Sequence, residues 1–195
     1  RLSTCAPLLQ RKLVVAAAQL HPPGYYDDKD PVALPELTKS TATCLASTRH
    51  SHLNATVGKM VAFLEEAAGR GADVLVLPEA CVTGYDAKAV KATTADEIQS
   101  AEDTLRAACK QHNIAAVFGA PHYDQVSSCC YNSAVLIGKD GDVVGRQSKM
   151  QLVPPDWEWC LPGPSINVYE LFPGVHVAAI ICHDKRYPEL VRLPV

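Results

Sequence analysis

The chain has 195 residues, 48% of them hydrophobic, which is enough for one compact domain with a buried core. Its formal net charge of −3 comes without a long basic run, which argues against nucleic acid or an anionic membrane surface as a partner. No stretch approaches the roughly 20 apolar residues that cross a bilayer, and the eight cysteines are scattered without a C-x-x-C pair, so neither a structural metal nor a disulfide framework is expected.

Taken in chain order, residues 1–12 carry cations and hydroxyls but no acid, and are set apart as a leader. A cytoplasmic location is expected from the cysteine usage, with a mitochondrial one as the alternative that the leader suggests. Leu13 to Ala18, followed by Gln19, predicts a buried strand. Residues 21–51 then break the pattern with four prolines, the acidic group Asp27, Asp28 and Asp30, and many hydroxyls, as expected of a long surface loop inserted in the domain. His50 and His52 are expected as solvated loop residues. From Leu53, the spacing of Val57, Met60, Val61, Leu64, Ala67 and Ala68 predicts an amphipathic helix stopped by Gly69 and Gly71, with Asn54-Ala55-Thr56 as its capping segment.

Val74 to Leu77 predicts a second buried strand, closed by Pro78 and followed at once by Glu79. A helix over 95–112 and a strand over 114–119 come next. Residues 132–137 and 143–144 flank an Asp-Gly turn, which predicts an antiparallel hairpin. Residues 168–171 and 175–181 predict two more strands, the second ending at Cys182, after which Tyr187-Pro188-Glu189 can open a helix. Strands and helices interleave without internal repeats, so the class is α/β or α+β.

Glu79, Lys149 and Cys182 each stand at the end of an apolar strand or hairpin. The carboxyl ends of strands open into the crevices where distant side chains converge. Cys182 by itself would usually be a packed core thiol, Glu79 a helix-capping carboxylate and Lys149 a surface cation. A strand-to-helix turn, however, sets a sulfur at orphan backbone N–H groups, where a nearby cation also favours thiolate.

Leu77-Pro78-Glu79-Ala80 with Gly84-Tyr85, then Gly145-Arg146-Gln147-Ser148-Lys149, then Ile181-Cys182-His183-Asp184 with Tyr187-Pro188-Glu189 resemble, in this order, the three signature blocks of the nitrilase superfamily. The resemblance also takes in the strand ending at Gln19, Gly71-Ala72-Asp73, Tyr131-Asn132-Ser133 and Pro162-Gly163. It implies a four-layer αββα sandwich over residues 13–195, with Glu79 as general base, Lys149 stabilising the tetrahedral intermediate, and Cys182 as nucleophile. It also implies that Glu158 is a second active-site glutamate and that His183, Tyr85 and Trp157 contact substrate. The activity implied is hydrolysis of a small amide or N-carbamoyl compound through a cysteine thioester, without cofactor, in a homo-oligomer built from dimers.

The departures qualify this. His183 follows the cysteine where nitrile-cleaving members carry tryptophan, which favours an amide or carbamoyl substrate, and Gln151 replaces a common histidine. Asp184, Arg186 and Glu189 are expected to hold the turn by ion pairing. Relatives continue beyond Val195, so the domain is expected to be incomplete at its C-terminus. A competing reading is therefore an inactive truncated member serving as a binding or dimerisation module. A thiol redox protein is a third, weakened by the missing resolving cysteine.

Overall fold

Apolar residues along the central strands alternate in direction, and this alternation decides the layering. In the computed structural model, which describes residues 13–18, 42–126 and 129–194, with side chains in the first helix described from His52 onward, five strands form one sheet. They are β1 (Val15–Ala17), β2 (Val74–Val76), β3 (Ala115–Asp124), β4 (Cys129–Ile137) and β5 (Val143–Ser148), in the order β1-β2-β3-β4-β5. The first three run parallel, and β4 runs antiparallel to both β3 and β5. Leu75, Ala116 and Ile137 face one side, against Met60 and Leu64 of α1 (Ala42–Gly69) and Leu105 of α3 (Ala95–His112). Val74, Ala115 and Leu136 face the other side, where Leu171, Phe172 and Val177 of the antiparallel hairpin β6 (Tyr169–Phe172) and β7 (Val175–Val177) cover them. The described residues thus supply a helical layer, a sheet and a second, two-stranded sheet, stacked in that order.

The helices follow from local signals. Thr94 and Glu97 form a reciprocal capping box at the start of α3, Glu97 Oε2 accepting the Thr94 N–H at 2.7 Å, and Asn113 ends the helix at φ +52. Ile98, Ala101, Leu105, Ala108 and Cys109 form its buried stripe, and the buried Glu102 pairs with Arg146 of β5 at 2.7 Å. The expected bounds of this helix agree with the structure, whereas the hairpin expected over 132–137 and 143–144 is longer, its strands running from Cys129 to Ile137 and from Val143 to Ser148.

Several expectations need correction. The helix predicted from Leu53 starts eleven residues earlier, at Ala42. No proline or glycine lies between Ala42 and Leu53 to interrupt it, so Asn54-Ala55-Thr56 sits mid-helix and caps nothing, and His52 is exposed on the helix rather than in a loop. The strand at Leu13–Ala18 forms, but at the sheet edge, with Leu13, Val14 and Val15 each 45–55% exposed rather than buried. The strand predicted over 175–181 stops at Val177, since 178–181 find no ladder partner among the described residues. A short helix, α2 (Ala87–Ala92), was not expected; Asp86 caps it by accepting the Ala89 N–H at 2.9 Å. The leader and most of the 21–51 loop lie outside the described residues. Among the described residues, no helix is long and apolar enough to cross a membrane.

Candidate active site

The chain leaves β2 through Leu77 and Pro78 and places Glu79 at its carboxyl end. The Gly119 N–H donates to the Pro78 carbonyl at 3.1 Å, and the Val82 N–H returns to the Gly119 carbonyl at 3.2 Å. This close seam needs glycine, because a Cβ at position 119 would fall 2.2 Å from Ala80 N and 2.6 Å from Glu79 Cα. The chain then folds back, with Ala80 at φ +50, Gly84 at φ +77 and the Gly84 N–H on the Ala80 carbonyl, so that Tyr85 returns onto Glu79.

Lys149 leaves the end of β5, its N–H donating to the Asn132 carbonyl of β4 at 2.8 Å. Its side chain is fully buried, and three oxygens lie within 3 Å of Nζ: Glu79 Oε1 at 2.8 Å, Tyr85 Oη at 2.9 Å and Asp156 Oδ2 at 2.7 Å. An ammonium has three N–H donors, and these oxygens match all of them. Burial opposes the charge of Lys149, but the Asp156 and Glu79 carboxylates outweigh it and hold the ammonium above its ordinary value. Asn132 Nδ2 adds a donor to Glu79 Oε1 at 2.8 Å.

Asp156 begins the single 3-10 turn Asp156–Glu158 and is itself fully buried, with Oδ2 accepting the Val153 N–H at 2.9 Å. Glu158, the expected second acid, is exposed on the same turn, and Trp157 is 67% exposed. In a turn of three residues per revolution only one of the three can face inward, and Asp156 takes that position. Glu158 and Trp157 thus point away from the buried Lys149 cluster, and Asp156 stands in it instead. Sequence reasoning passed over Asp156, although an aspartate directly after Pro154-Pro155, at a turn start, was the available signal. Asn132 was noted only as part of a motif.

Cys182 opens a second 3-10 turn, Cys182–Arg186, in the left-handed region at φ +48. Asp184, buried, clamps this turn to the end of β5 by accepting the Gln151 N–H at 2.7 Å and the Met150 N–H at 3.2 Å. The turn is held by backbone donors rather than by the expected ion pairs, and burial pushes the Asp184 carboxyl above its ordinary range. His183 is half-buried and stacks edge-on against Tyr187, with ring centroids 5.6 Å apart. Cys182, Glu79, Asn132 and Ser133 line a cavity of about 400 Å³ whose remaining walls, including Val76, Val117, Leu136 and Ile181, are apolar.

Partial burial raises the Cys182 thiol, and the nearby negative charge of Glu79 raises it further against the lowering pull of Lys149 and Lys185. Two carboxylates and one ammonium leave the cluster one negative charge in excess, so a third anion is repelled. This direction runs against the expected resting thiolate. The sign of the pH dependence follows: with an acid raised above 9.0, thiolate accumulates only as pH climbs past that value. Alkylation of Cys182 by iodoacetamide, followed by peptide mass mapping, should keep accelerating beyond pH 9 instead of levelling off near neutrality.

The sequence model of the Carbon-nitrogen hydrolase family matches residues 15–194. The chain belongs to this family. It is similar to the 2-oxoglutaramate amidase of Bacillus subtilis (strain 168), 31% identical over 135 residues that cover 69% of this chain and 52% of that protein. It is also 31% identical over 128 residues to a hydrolase in the agr operon of Staphylococcus lugdunensis, covering 63% of this chain and 53% of that one. Among solved structures it resembles a mutant of the amidase from Nesterenkonia sp. AN1 bearing the product of Michael addition of acrylamide at its active-site cysteine. The TM-score is 0.66 at 22% identity, over 73% of this chain and 56% of that one. The fold is that of the nitrilase-superfamily amidases, and the chain spans about half the length of the curated relatives it matches.

Proposed function

We propose that this chain carries the catalytic residues of an amidohydrolase that releases ammonia from a small amide or N-carbamoyl compound through a thioester on Cys182. The observation that carries this reading is that Glu79 lines the same cavity as Cys182 while holding the ammonium of Lys149, 70 residues away in sequence, at 2.8 Å. Family membership and an amidase relative support the reaction class.

In this reading the thiol proton passes to Glu79 as sulfur attacks the amide carbon, and the carbonyl π pair moves onto oxygen. Lys149 has its three N–H groups engaged in the resting cluster, so its direct contribution begins only when Glu79 is protonated. A neutral acid holds the ammonium more weakly, and one N–H becomes available to the developing oxyanion, alongside the backbone N–H of His183. Collapse of the tetrahedral species breaks the C–N bond, and Glu79 returns the proton to the leaving nitrogen. Water then attacks the thioester, again giving its proton to Glu79, and the acid and free thiol leave the cycle ready to repeat. The two half-reactions share one base, which requires that base to lie within reach of the sulfur throughout.

The test is to incubate the protein with a panel of small amides and carbamoyl compounds, measure ammonia, and quench samples for mass spectrometry. Cys182-dependent ammonia with an acyl adduct on the Cys182 peptide is the expected result. Ammonia release undiminished in Cys182→Ala would overturn the reading.

A further inference from the structure

The hydroxyl of Tyr85 lies 2.7 Å from Glu79 Oε1 and 2.9 Å from Asp156 Oδ1, and it accepts from Lys149 Nζ at 2.9 Å. A phenol has one proton and cannot donate it to two carboxylates at once. The shorter distance puts the proton on Glu79 in the resting state, with Asp156 as an alternative acceptor already in place. Glu79 Oε1 meanwhile takes donors from Lys149, Tyr85 and Asn132, each of which favours the charged carboxylate and so resists the proton it must receive from the thiol.

Resting on the reading above, we propose that Tyr85 is a positioning residue that hands its hydrogen bond from Glu79 to Asp156 as Glu79 takes up the thiol proton. The transfer relieves Oε1 of one donor at the moment it turns from anion to acid. It leaves the negative charge on Asp156, which faces Lys149 from the other side. Through both states the phenol oxygen continues to accept from Lys149, so the ammonium keeps one fixed anchor while another of its bonds is freed. The hydroxyl is thus a two-position hydrogen-bond switch between the base and the buried aspartate. The remaining titratable or charged groups around the cluster are Cys160 beside Asp156, Asp184 near Lys149, and Cys182 with Lys185 on the facing turn. Among the residues described, Tyr85 alone places a hydroxyl against both carboxylates.

The experiment follows Cys182 alkylation by acrylamide from pH 4 to 10 in the unsubstituted protein, in Tyr85→Phe and in a variant with 3-fluorotyrosine at position 85. Alkylation forms the sulfur–carbon bond and sends the thiol proton, by way of Glu79, to the α-carbon of acrylamide. The unsubstituted protein should show a lower rise set by the base and an upper rise set by the thiol itself. In Tyr85→Phe, which takes one donor from Glu79, the lower rise should move about one unit towards higher pH, the upper rise changing little. The more acidic fluorophenol, a stronger donor of the same shape, should move the lower rise the opposite way. With an amide that turns over, kcat of Tyr85→Phe should fall about ten-fold at unchanged KM. A purely structural Tyr85 would alter stability but leave the profile in place. Coincident lower rises in all three proteins, or no lower rise in the unsubstituted protein, would overturn the proposal. If Tyr85→Phe does not fold, the fluorotyrosine protein decides alone, displacement supporting and coincidence refuting. Failure of the underlying amidohydrolase reading registers separately, as ammonia release that survives Cys182→Ala.

Discussion

Lys149→Met should silence ammonia release and lower unfolding stability by about 3–5 kcal/mol, the usual consequence of removing one partner from a buried ion pair. Methionine matches the volume, so packing changes little. What changes is that the Glu79 and Asp156 carboxylates, 2.8 and 2.7 Å from the lost nitrogen, confront one another across a site with no cation between them. Asp156 is fully buried and cannot turn to water. The sign of the pH dependence is then fixed: one proton held between two close carboxylates replaces the missing positive charge, so the deficit should shrink as pH falls towards the carboxylate range. Urea denaturation at pH 7 and pH 5 measures both effects. A Lys149→Met protein as stable as the parent at pH 7 would mean that the ammonium is not holding the two acids together.

Gly119→Ala is expected to be nearly as damaging, through geometry rather than charge. A methyl group 2.2 Å from Ala80 N and 2.6 Å from Glu79 C must push backbone, since no flexible side chain end is there to give way. The cost should reach about 3 kcal/mol, at the upper end for overpacking. The displaced segment carries Glu79 itself, and a shift of about 1 Å in a catalytic group can cost about 100-fold in rate. Gly58→Ala is the matched control: it lies within α1 with nothing within 4 Å of the added carbon. There the change should be neutral or stabilising by about 0.5–1 kcal/mol, because alanine restricts the unfolded chain and suits a helix. Thermal unfolding and ammonia release for the pair separate steric displacement from any general sensitivity to alanine.

The parts of this molecule that were legible in the sequence share a physical trait: each announces itself by contrast with its neighbours. Glu79, Lys149 and Cys182 are polar residues ending apolar runs; Glu79 and Cys182 line one cavity, and Lys149 is ion-paired with Glu79. The α3 helix was legible because Ile98, Leu105, Ala108 and Cys109 recur at helical spacing among polar neighbours, and they are its buried stripe. Asp156 was not, because Asp156 and Glu158 are both acids on one short turn, and residue type alone does not set the phase that turns one inward. Tyr85 was read as a substrate contact, since nothing local reveals that the Ala80–Gly84 turn folds its hydroxyl back onto Glu79. The exposure of β1 was equally hidden: an apolar run shows that a strand forms but not how many neighbours it has.

The left-handed backbone at Cys182 bears on how position 182 can vary. An L-residue with a β-carbon is disfavoured in that conformation by about 1–2 kcal/mol, and glycine is not. Folding considered alone would therefore prefer the residue with no side chain. The thiol stands at a conformational disadvantage, so under the proposed function the turn at Cys182 is a place where foldability and reactivity pull the choice of amino acid in opposite directions.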